Sequence, residues 1–541
     1  MRKRTVTIHF AMTLAIALLV ARLYYICTGA ELASAADMQS YYTLELGNIR
    51  GIFYDCNMVP ITNNQGYNAV AVVPTPEAAT ALMKAVSPAE RGDVALQLQN
   101  MTPFVVRTTG QPVYAKGVEN FTLKQRYTDD QIAAHLIGYT QAGGSGVTGL
   151  ELALDDILSA QGGKLLLNCY TDAARRPIEG RTPERVDSGY DSGEGVVLTL
   201  DSGIQRIAES AALSIEKGSV VVMEVVTGDI KAMVSRPSYN PNKLADYLED
   251  PDSPLINRAL YDYAVGSSFK MLVAATALEQ GIPAGLTYDC PGYIEVDGQR
   301  FNCHNLEGHG TLDMWGALQR SCNPYFVNLA QLCGAQTLAS KAEQIGFGSP
   351  MVLAGNYQTR AGLMPSRQEL AMPGQAANFA FGQGSFSASP VHIAAMVAAI
   401  ANGGETVLPR LIVGYTDSGE RVDDYLPTYG TSQVVTRSAA NRVRQMLVSV
   451  VEAGSGRNAM PAEGGAGGKT ASAQTGIYDE EGNEVVHAWF TGFFPADNPR
   501  HVIVVLNEGG DSGSDMACPI FKEIADNMNA LLARRASGPD A

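Results

Sequence analysis

The alternation of apolar and polar positions divides the chain into three parts. An apolar run from about Val6 to Cys27 follows three basic residues at positions 2–4. As a helix, this run is long enough to cross a hydrocarbon layer of ~30 Å. Short alternating runs and turns rich in Gly and Pro then continue to about residue 190. A polar segment rich in Gly and Ser, at 185–195, predicts a domain boundary.

The third part has the most regular patterns. Strand patterns ("VVLTL" and the hairpin "GSVVVMEVVTGDIKAMVS") flank an amphipathic helix that begins at Ser202. A block of helical patterns, three more strands and a closing helix follow. This order predicts an α+β fold, an antiparallel sheet with a helical subdomain. We expect a cytoplasmic stub and anchor at 1–27, an N-terminal domain at 40–190 and a C-terminal domain at 195–537.

Composition and charge narrow the class of protein. The 541 residues are 46% apolar and 17% charged, as in globular proteins, and the net charge of −16 leaves no basic footprint for nucleic acid. The basic N-terminal flank predicts a single-pass membrane protein with its N-terminus in the cytoplasm. A cleaved signal peptide is the alternative, since Ala33-Ser34-Ala35 fits a cleavage site. Both interpretations place residues 40–541 outside the membrane.

A serine and a lysine stand at the start of a buried helix, in "GSSFK" at 266–270. Ser267 and Lys270 are three residues apart and share one helix face. A serine hydroxyl needs a neighbouring base to become a nucleophile. A lysine can be that base only when its amine is neutral, which burial and a second cation favour. Alone, the pair also fits an N-cap serine and an incidental lysine.

Two later segments help to decide between an N-cap serine and a nucleophile with its base. Ser321-Cys322-Asn323 lies between helical patterns, and Lys469-Thr470 follows a Gly-rich approach. Ser-x-x-Lys, Ser-x-Asn and Lys-Thr-Gly, in that order, are the signatures of the penicillin-recognising serine acyl transferases. Their joint occurrence at this spacing favours a nucleophile and its base at 267 and 270.

Other segments extend the likeness: "RGIFYDCN", "AAHLIGY" with "GVTGLE", "INRAL", "RPSYNPN", "IANGG" and "WFTGFFP". The chain resembles a class B penicillin-binding protein from the anchor to the final helix. The resemblance implies a serine β-lactamase-like transpeptidase fold on an elongated N-terminal pedestal, which is also a dimerisation domain. It also implies D,D-transpeptidation of peptidoglycan stem peptides ending in D-Ala-D-Ala, with β-lactams acylating the same serine.

The resemblance also implies a role for each site residue. Ser267 attacks the carbonyl of the penultimate D-alanine, Lys270 takes its proton, and Ser321 protonates the leaving D-alanine. The remaining roles are an oxyanion hole from the backbone N–H groups of Ser267 and Ser472, substrate contacts from Asn323, Thr470, Ala471 and Ser472, and tuning of charge by Lys469. Two positions depart from the family: alanine stands at 471 in place of glycine, and cysteine stands at 56 in place of arginine.

A second group of polar residues lies at 288–310, with Asp289, Cys290, Cys303, His304 and His309. An Asp-Gly turn at 297–298 predicts a hairpin that puts Cys290 opposite about residue 305. Two thiols and two imidazoles suit a structural zinc ion, with His304 or Asp289 as the fourth ligand. A Cys290–Cys303 disulfide, or neither arrangement, stays open. Cys322 is expected to face away from the cleft as a packed thiol.

The resemblance also bears on cofactors, partners and alternative functions. The family's chemistry requires no cofactor, and its partners include a polytopic membrane glycosyltransferase and division or sporulation proteins. The sequence leaves open whether the enzyme serves elongation, division or sporulation. A relative that hydrolyses or senses β-lactams, or an inactive scaffold, is the alternative function.

Overall fold

The computed structural model describes residues 2–28, 41–170, 178, 182–478 and 482–537. Its two compact units interleave along the chain. The first unit comprises Met1–Arg50, Asn63–Arg126 and Gly162–Ser192, and the second comprises Gly51–Thr62, Tyr127–Gln161 and Gly193–Ala541. The expected boundary near residue 190 is therefore only the last of several crossings, because two segments of the expected N-terminal domain pack with the second unit.

The N-terminal helix, Arg2–Thr28, is exposed from Lys3 to Thr28. Residues Lys3–Thr28 have a mean hydropathy of 2.0 in their most apolar window, and among the described residues this is the one helix long and apolar enough to cross a membrane. The chain thus carries one candidate membrane anchor. The alternative cleavage site at 33–35 lies outside the described residues.

The first unit contains two small antiparallel sheets and two apolar cores: one core contains residues of both sheets, and the other contains residues of one sheet and of the helices. Thr75 caps one of its helices by accepting a hydrogen bond from the N–H of Ala78. In spatial order, the strands are Tyr41–Ile49, Gly163–Tyr170 and Glu184–Ser188 in one sheet, and Phe104–Arg107, Gln65–Val72 and Val118–Gln125 in the other. The helices are Pro76–Ala85 and Arg91–Gln99.

The second unit is built on a five-stranded antiparallel sheet. In spatial order, its strands are Ile230–Arg236, Gly218–Glu224, His501–Glu508, Glu484–Phe494 and Gly467–Tyr478. Successive residues of the central strand enter different cores: Val502 and Val504 join the larger core, while Ile503 and Val505 join the smaller one. The strand is apolar throughout because both of its faces are covered. The strand carrying the third motif lies at the sheet edge.

Helices cover both faces of this sheet. On one face, Ser202–Ala211 and Cys518–Ser537 contribute to the smaller core. On the other face, every residue of Pro390–Ala401 is buried. The remaining α-helices of the second unit are Ala134–Ile137, Gly149–Ala153, Asp155–Ala160, Lys270–Glu279, Met314–Gln319, Asn323–Cys333, Ala335–Ile345, Arg367–Leu370, Pro373–Ala380 and Arg437–Ala453.

Shorter elements connect these layers. Single turns of 3-10 helix are Ala212–Ser214, Leu244–Tyr247, Arg258–Leu260, Gly266–Phe269 and Arg457–Ala459, and Gly513–Ala517 is a π-helical turn. One minor sheet has four strands, in the spatial order Ile52–Tyr54, Gly195–Leu198, Ile412–Thr416 and Asp424–Tyr425. Four further sheets have two strands each: Tyr263–Ala264 with Ser387–Ala388, Tyr288–Cys290 with Gly310–Leu312, Tyr293–Val296 with Gln299–Asn302, and Val352–Ala354 with Tyr357–Gln358. The expected α+β order of strands, helices, strands and a final helix is confirmed.

The helix expected to begin at Ser202 is capped by the preceding residue. Asp201 is 4% exposed, and its carboxylate accepts hydrogen bonds from the N–H groups of Gly203 and Ile204. Arg535, on the closing helix, donates to both oxygens of this carboxylate at 2.6 and 2.9 Å. The thiol of Cys56 lies 4.0 Å from the same carboxylate. The unusual cysteine therefore borders a charged clamp between the two helices, far in sequence from the motifs.

We expect Asp201→Ala to lower the free energy of unfolding by about 2 kcal/mol, because it removes a helix cap and the carboxylate that Arg535 binds. Denaturant unfolding of the detergent-solubilised protein measures the change. Ser210→Ala, at an exposed position of the same helix, is the control and should change stability by less than about 0.5 kcal/mol. Equal effects of the two substitutions would refute the clamp.

Candidate active site

The nucleophile segment is held against the edge strand of the large sheet. Gly266 has a φ of +59°, and a Cβ there would lie 3.0 Å from the Cβ of Ala473. Glycine therefore permits both the backbone conformation and the close approach. The ring centroid of Phe269 lies 4.8 Å from those of Phe379 and Phe386. Ser267 stands in a 3-10 turn, and the α-helix begins only at Lys270.

Lys270 is completely buried, and the second motif binds its amine. Nζ lies 2.8 Å from the carbonyl oxygen of Ser321, 3.2 Å from its Oγ and 2.6 Å from Oδ1 of Asn323. Burial lowers the pKa of Lys270 to about 7. A substantial fraction of the amine is therefore neutral at neutral pH, as a general base requires.

The hydroxyl of Ser321 connects the base to the nucleophile. Ser321 Oγ donates a hydrogen bond to Ser267 Oγ at 3.0 Å and lies 3.2 Å from Nζ of Lys270. Within the described part of the chain, Ser267 reaches the amine through this hydroxyl. Ser321 also has a φ of +53°, a left-handed conformation that costs a residue with a side chain about 1–3 kcal/mol. The hydrogen bonds of its hydroxyl and carbonyl maintain this conformation.

The third motif completes the site from the edge strand. Lys469 is fully buried, and its Nζ donates to the carbonyl oxygen of Thr470 at 2.9 Å. Burial, and then the charge of Lys270, lower the pKa of Lys469 well below its usual value. Oγ1 of Thr470 lies 2.6 Å from Oγ of Ser455. The charge of Lys270 thus acts on Lys469, whereas the pKa of Lys270 itself is lowered by its burial.

The three motifs meet around a cavity of about 280 Å³. Ser267, Ser321, Asn323, Thr470, Ala471 and Ser472 line it, as expected from the sequence. Sequence reasoning missed half of the lining residues: His304, which was assigned to a metal site, and Arg320, Ser455, Ser512, Gly513 and Ser514. Only Arg320 carried a usable signal, its position directly before the second motif.

Alanine at position 471, where the family has glycine, adds a methyl group next to the third motif. Ala471 is 3% exposed and belongs to the larger core together with Ala473. Its Cβ would be 3.4 Å from a Cβ on Gly266. The methyl group therefore packs against the nucleophile segment, at the wall of the cavity.

A group of thiols lies next to the second motif. The ligand atoms of Cys290, Cys303, His309 and Cys322 all lie within 4.8 Å of one another. Cys303 Sγ is 3.4 Å from Nδ1 of His309, and Cys290 Sγ is 3.9 Å from it. We call these four residues the thiol cluster. Its fourth member is Cys322, in place of the expected His304 or Asp289.

Strand pairing explains why Cys290 was misplaced. The Asp297-Gly298 hairpin forms as expected, between Tyr293–Val296 and Gln299–Asn302. Cys290, however, lies beyond this hairpin and pairs with Gly310 of another strand. Its carbonyl accepts a hydrogen bond from the N–H of His309. All the cysteines are free thiols, so Cys290 and Cys303 are not joined.

The site combines a Ser-x-x-Lys motif, a Ser-x-Asn motif and a Lys-Thr motif, the last on the edge strand of the sheet. This combination defines a serine acyl transferase with a β-lactamase-like fold. Comparison with known proteins agrees. Residues 218–526 match the family described as penicillin binding protein transpeptidase domain. The chain belongs to this family, in its class B, and it is an enzyme of the peptidoglycan D,D-transpeptidase type.

Full-length relatives show the same likeness. The chain is 30% identical to the stage V sporulation protein D of Bacillus subtilis, over 92% of this chain and 80% of that protein. It is 26% identical to the peptidoglycan D,D-transpeptidase MrdA of Salmonella typhimurium, over 90% and 89%. A crystal structure titled as the D,D-transpeptidase domain of a peptidoglycan glycosyltransferase from Eggerthella lenta aligns with a TM-score of 0.64 and 26% identity, covering 90% of this chain and 99% of that one.

The pKa of Lys270 predicts the pH dependence of acylation. Only the neutral amine accepts a proton, so the rate of acylation by benzylpenicillin should rise about tenfold per pH unit below pH 7 and level off above it. Stopped-flow measurements between pH 5 and 9 test this, with circular dichroism confirming folding at each pH. A rate that is flat or falls across this range would exclude Lys270 as the base.

Proposed function

We propose that the enzyme crosslinks peptidoglycan through an acyl-Ser267 intermediate. Ser267 Oγ attacks the carbonyl carbon of the penultimate D-alanine, and its proton passes through the hydroxyl of Ser321 to Lys270. The hydrogen bonds that join these three side chains carry the proposal. Returning the proton through Ser321 to the amide nitrogen lets the C–N bond break and the terminal D-alanine leave.

The second half-reaction uses the same groups in reverse. An amine from a neighbouring stem peptide attacks the ester carbonyl, gives its proton to the relay and releases Ser267. The backbone N–H groups of Ser267 and Ser472 stabilise the oxyanion in both halves, a contribution of about 3–4 kcal/mol per donor. Asn323 orients Lys270 and the substrate amide, and Thr470 and Ser472 bind the terminal carboxylate. β-Lactams acylate Ser267 by the first half-reaction.

The N-terminal region supports a location and a set of partners for the enzyme. The three basic residues before the apolar helix favour a cytoplasmic N-terminus and an extracytoplasmic catalytic unit. The first unit would then be the membrane-proximal pedestal, with a polytopic membrane glycosyltransferase and division or sporulation proteins as partners. The likeness to a stage V sporulation protein supports a role in sporulation.

The thiol cluster is proposed as a structural zinc site. Three thiols and one imidazole are a common donor set for tetrahedral zinc, and the spread of their ligand atoms, within 4.8 Å, is small enough to surround one ion. Zinc bound there would tie the segment that contains Cys290 and Cys303 to Cys322, between Ser321 and Asn323. Its contribution would be to hold the second motif in place, and no step of the reaction needs it.

Ser267→Ala should abolish covalent labelling by a fluorescent penicillin, because the attacking oxygen is lost. Ser268→Ala is a matched control: Ser268 is the next residue, and its hydroxyl is buried. The control should keep labelling within about threefold of the wild type, and mass spectrometry should place the adduct on Ser267. An unlabelled wild type would favour the inactive scaffold, and rapid loss of the label would favour a β-lactam hydrolase.

Metal analysis should find one zinc ion per chain, lost in Cys303→Ser and Cys322→Ser, with a lower melting temperature in both variants. Cys333→Ser, at a buried cysteine outside the cluster, should keep the metal. Purification under reducing and non-reducing conditions separates the alternatives. A metal-free protein in which Cys290 and Cys303 form a disulfide would refute the zinc site.

A further inference from the structure

One permanent positive charge on the cavity wall has no role in the reaction described above. Arg320 is exposed and lines the cavity. Within the described residues, its guanidinium has neither an ion pair nor a side-chain hydrogen bond. A guanidinium is charged at every physiological pH and presents donors in a planar fork that suits a carboxylate.

Backbone contacts place Arg320 at the end of the cavity formed by the third motif. The carbonyl oxygen of its neighbour, Gln319, accepts a hydrogen bond from the N–H of Ser455 at 3.0 Å. The hydroxyl of Ser455 lies 2.6 Å from that of Thr470. Arg320, Ser455, Thr470 and Ser472 all line the same cavity. Arg320 therefore lines one cavity with the hydroxyls to which the proposed function assigns the terminal carboxylate, and its neighbour Gln319 is joined to them through Ser455.

The two active-site lysines are poorly placed to neutralise that carboxylate. Both are completely buried. Lys270 is engaged by Ser321 and Asn323, and Lys469 by the carbonyl of Thr470. Burial also lowers the pKa of each amine, which reduces the charge they carry near neutral pH. A carboxylate that leaves water needs a charged partner on the open side of the cavity.

We propose that Arg320 binds the C-terminal carboxylate of the stem peptide, and the matching carboxylate of β-lactams, together with Thr470 and Ser472. The inference rests on the proposed function, since it takes the ligand to be a D-Ala-D-Ala peptide. Arg320 is thereby a specificity residue that selects substrates with a free terminal carboxylate. It also makes the entry of anionic ligands depend on ionic strength.

The test compares ligands with and without the carboxylate. A D-alanyl thioester of thioglycolate carries the carboxylate, and its methyl ester does not. In the full-length protein in detergent, Arg320→Gln should lower the acylation rate constant for the acid about 10- to 100-fold, the range expected for a lost charged hydrogen bond. The rate constant for the methyl ester should change less than about threefold. Arg320→Lys should be intermediate, because it keeps the charge and loses the fork.

A second measurement does not depend on the ester being a good substrate. Acylation of the wild type by benzylpenicillin should slow as salt is added, and Arg320→Gln should lose this dependence. Arg442→Gln is the matched control, since Arg442 is exposed, lies against Trp315 and does not line the cavity. It should behave as the wild type in both assays.

The outcomes distinguish this inference from a structural role of Arg320 and from failure of the proposed function. Arg320→Gln with the wild-type rate for the acid, or with equal losses for acid and ester, would overturn the inference. A further contrary result is that Arg320→Gln loses bound zinc or melts at a lower temperature while affecting the acid and the ester equally. That result would show that Arg320 stabilises the thiol cluster, and it would also overturn the inference. A wild type that no penicillin acylates would instead refute the proposed function.

Discussion

The active site depends on a buried amine that is fully hydrogen-bonded. Removing an ammonium from water costs several kcal/mol unless its protons find acceptors. For Lys270, the carbonyl and hydroxyl of Ser321 and the amide oxygen of Asn323 provide them. All three acceptors belong to one tripeptide, so the amine also fixes the second motif relative to the nucleophile. The burial that makes the lysine a usable base therefore also orders the catalytic residues.

The tripeptide Ser321-Cys322-Asn323 faces two environments. Its outer residues bind Lys270, while the central thiol packs against Cys303 and His309 on the other side. This arrangement explains the left-handed backbone at Ser321, which is engaged through both its hydroxyl and its carbonyl. Chemistry and mechanical support are thus joined along three consecutive residues. A disturbance of the thiol cluster would reach the base through a single peptide unit on either side.

Local patterns predicted the elements and the motifs well. Short apolar runs bounded by turn residues identified the hairpin at 218–236 and the strands at 487–495 and 501–509, and the residue types in the motifs indicated their chemistry. What the patterns did not predict are contacts between residues that are far apart in the sequence. Counting residues from a hairpin could not show that Cys290 pairs with Gly310, nor that Cys322 completes its cluster. Periodicity also carries no information on which unit a segment joins: residues 51–62 and 127–161 belong to the second compact unit although they lie between segments of the first.

The strand order of the large sheet has a consequence for biosynthesis. The hairpin at 218–236 pairs through Gly218–Glu224 with His501–Glu508, which comes far later in the chain. During translation, the apolar edge of the hairpin remains unpaired while about half of the protein is synthesised. The closing helix arrives later still, with Arg535 near its end. A chaperone that shields this waiting edge would therefore matter more for the yield of the enzyme than for its final stability.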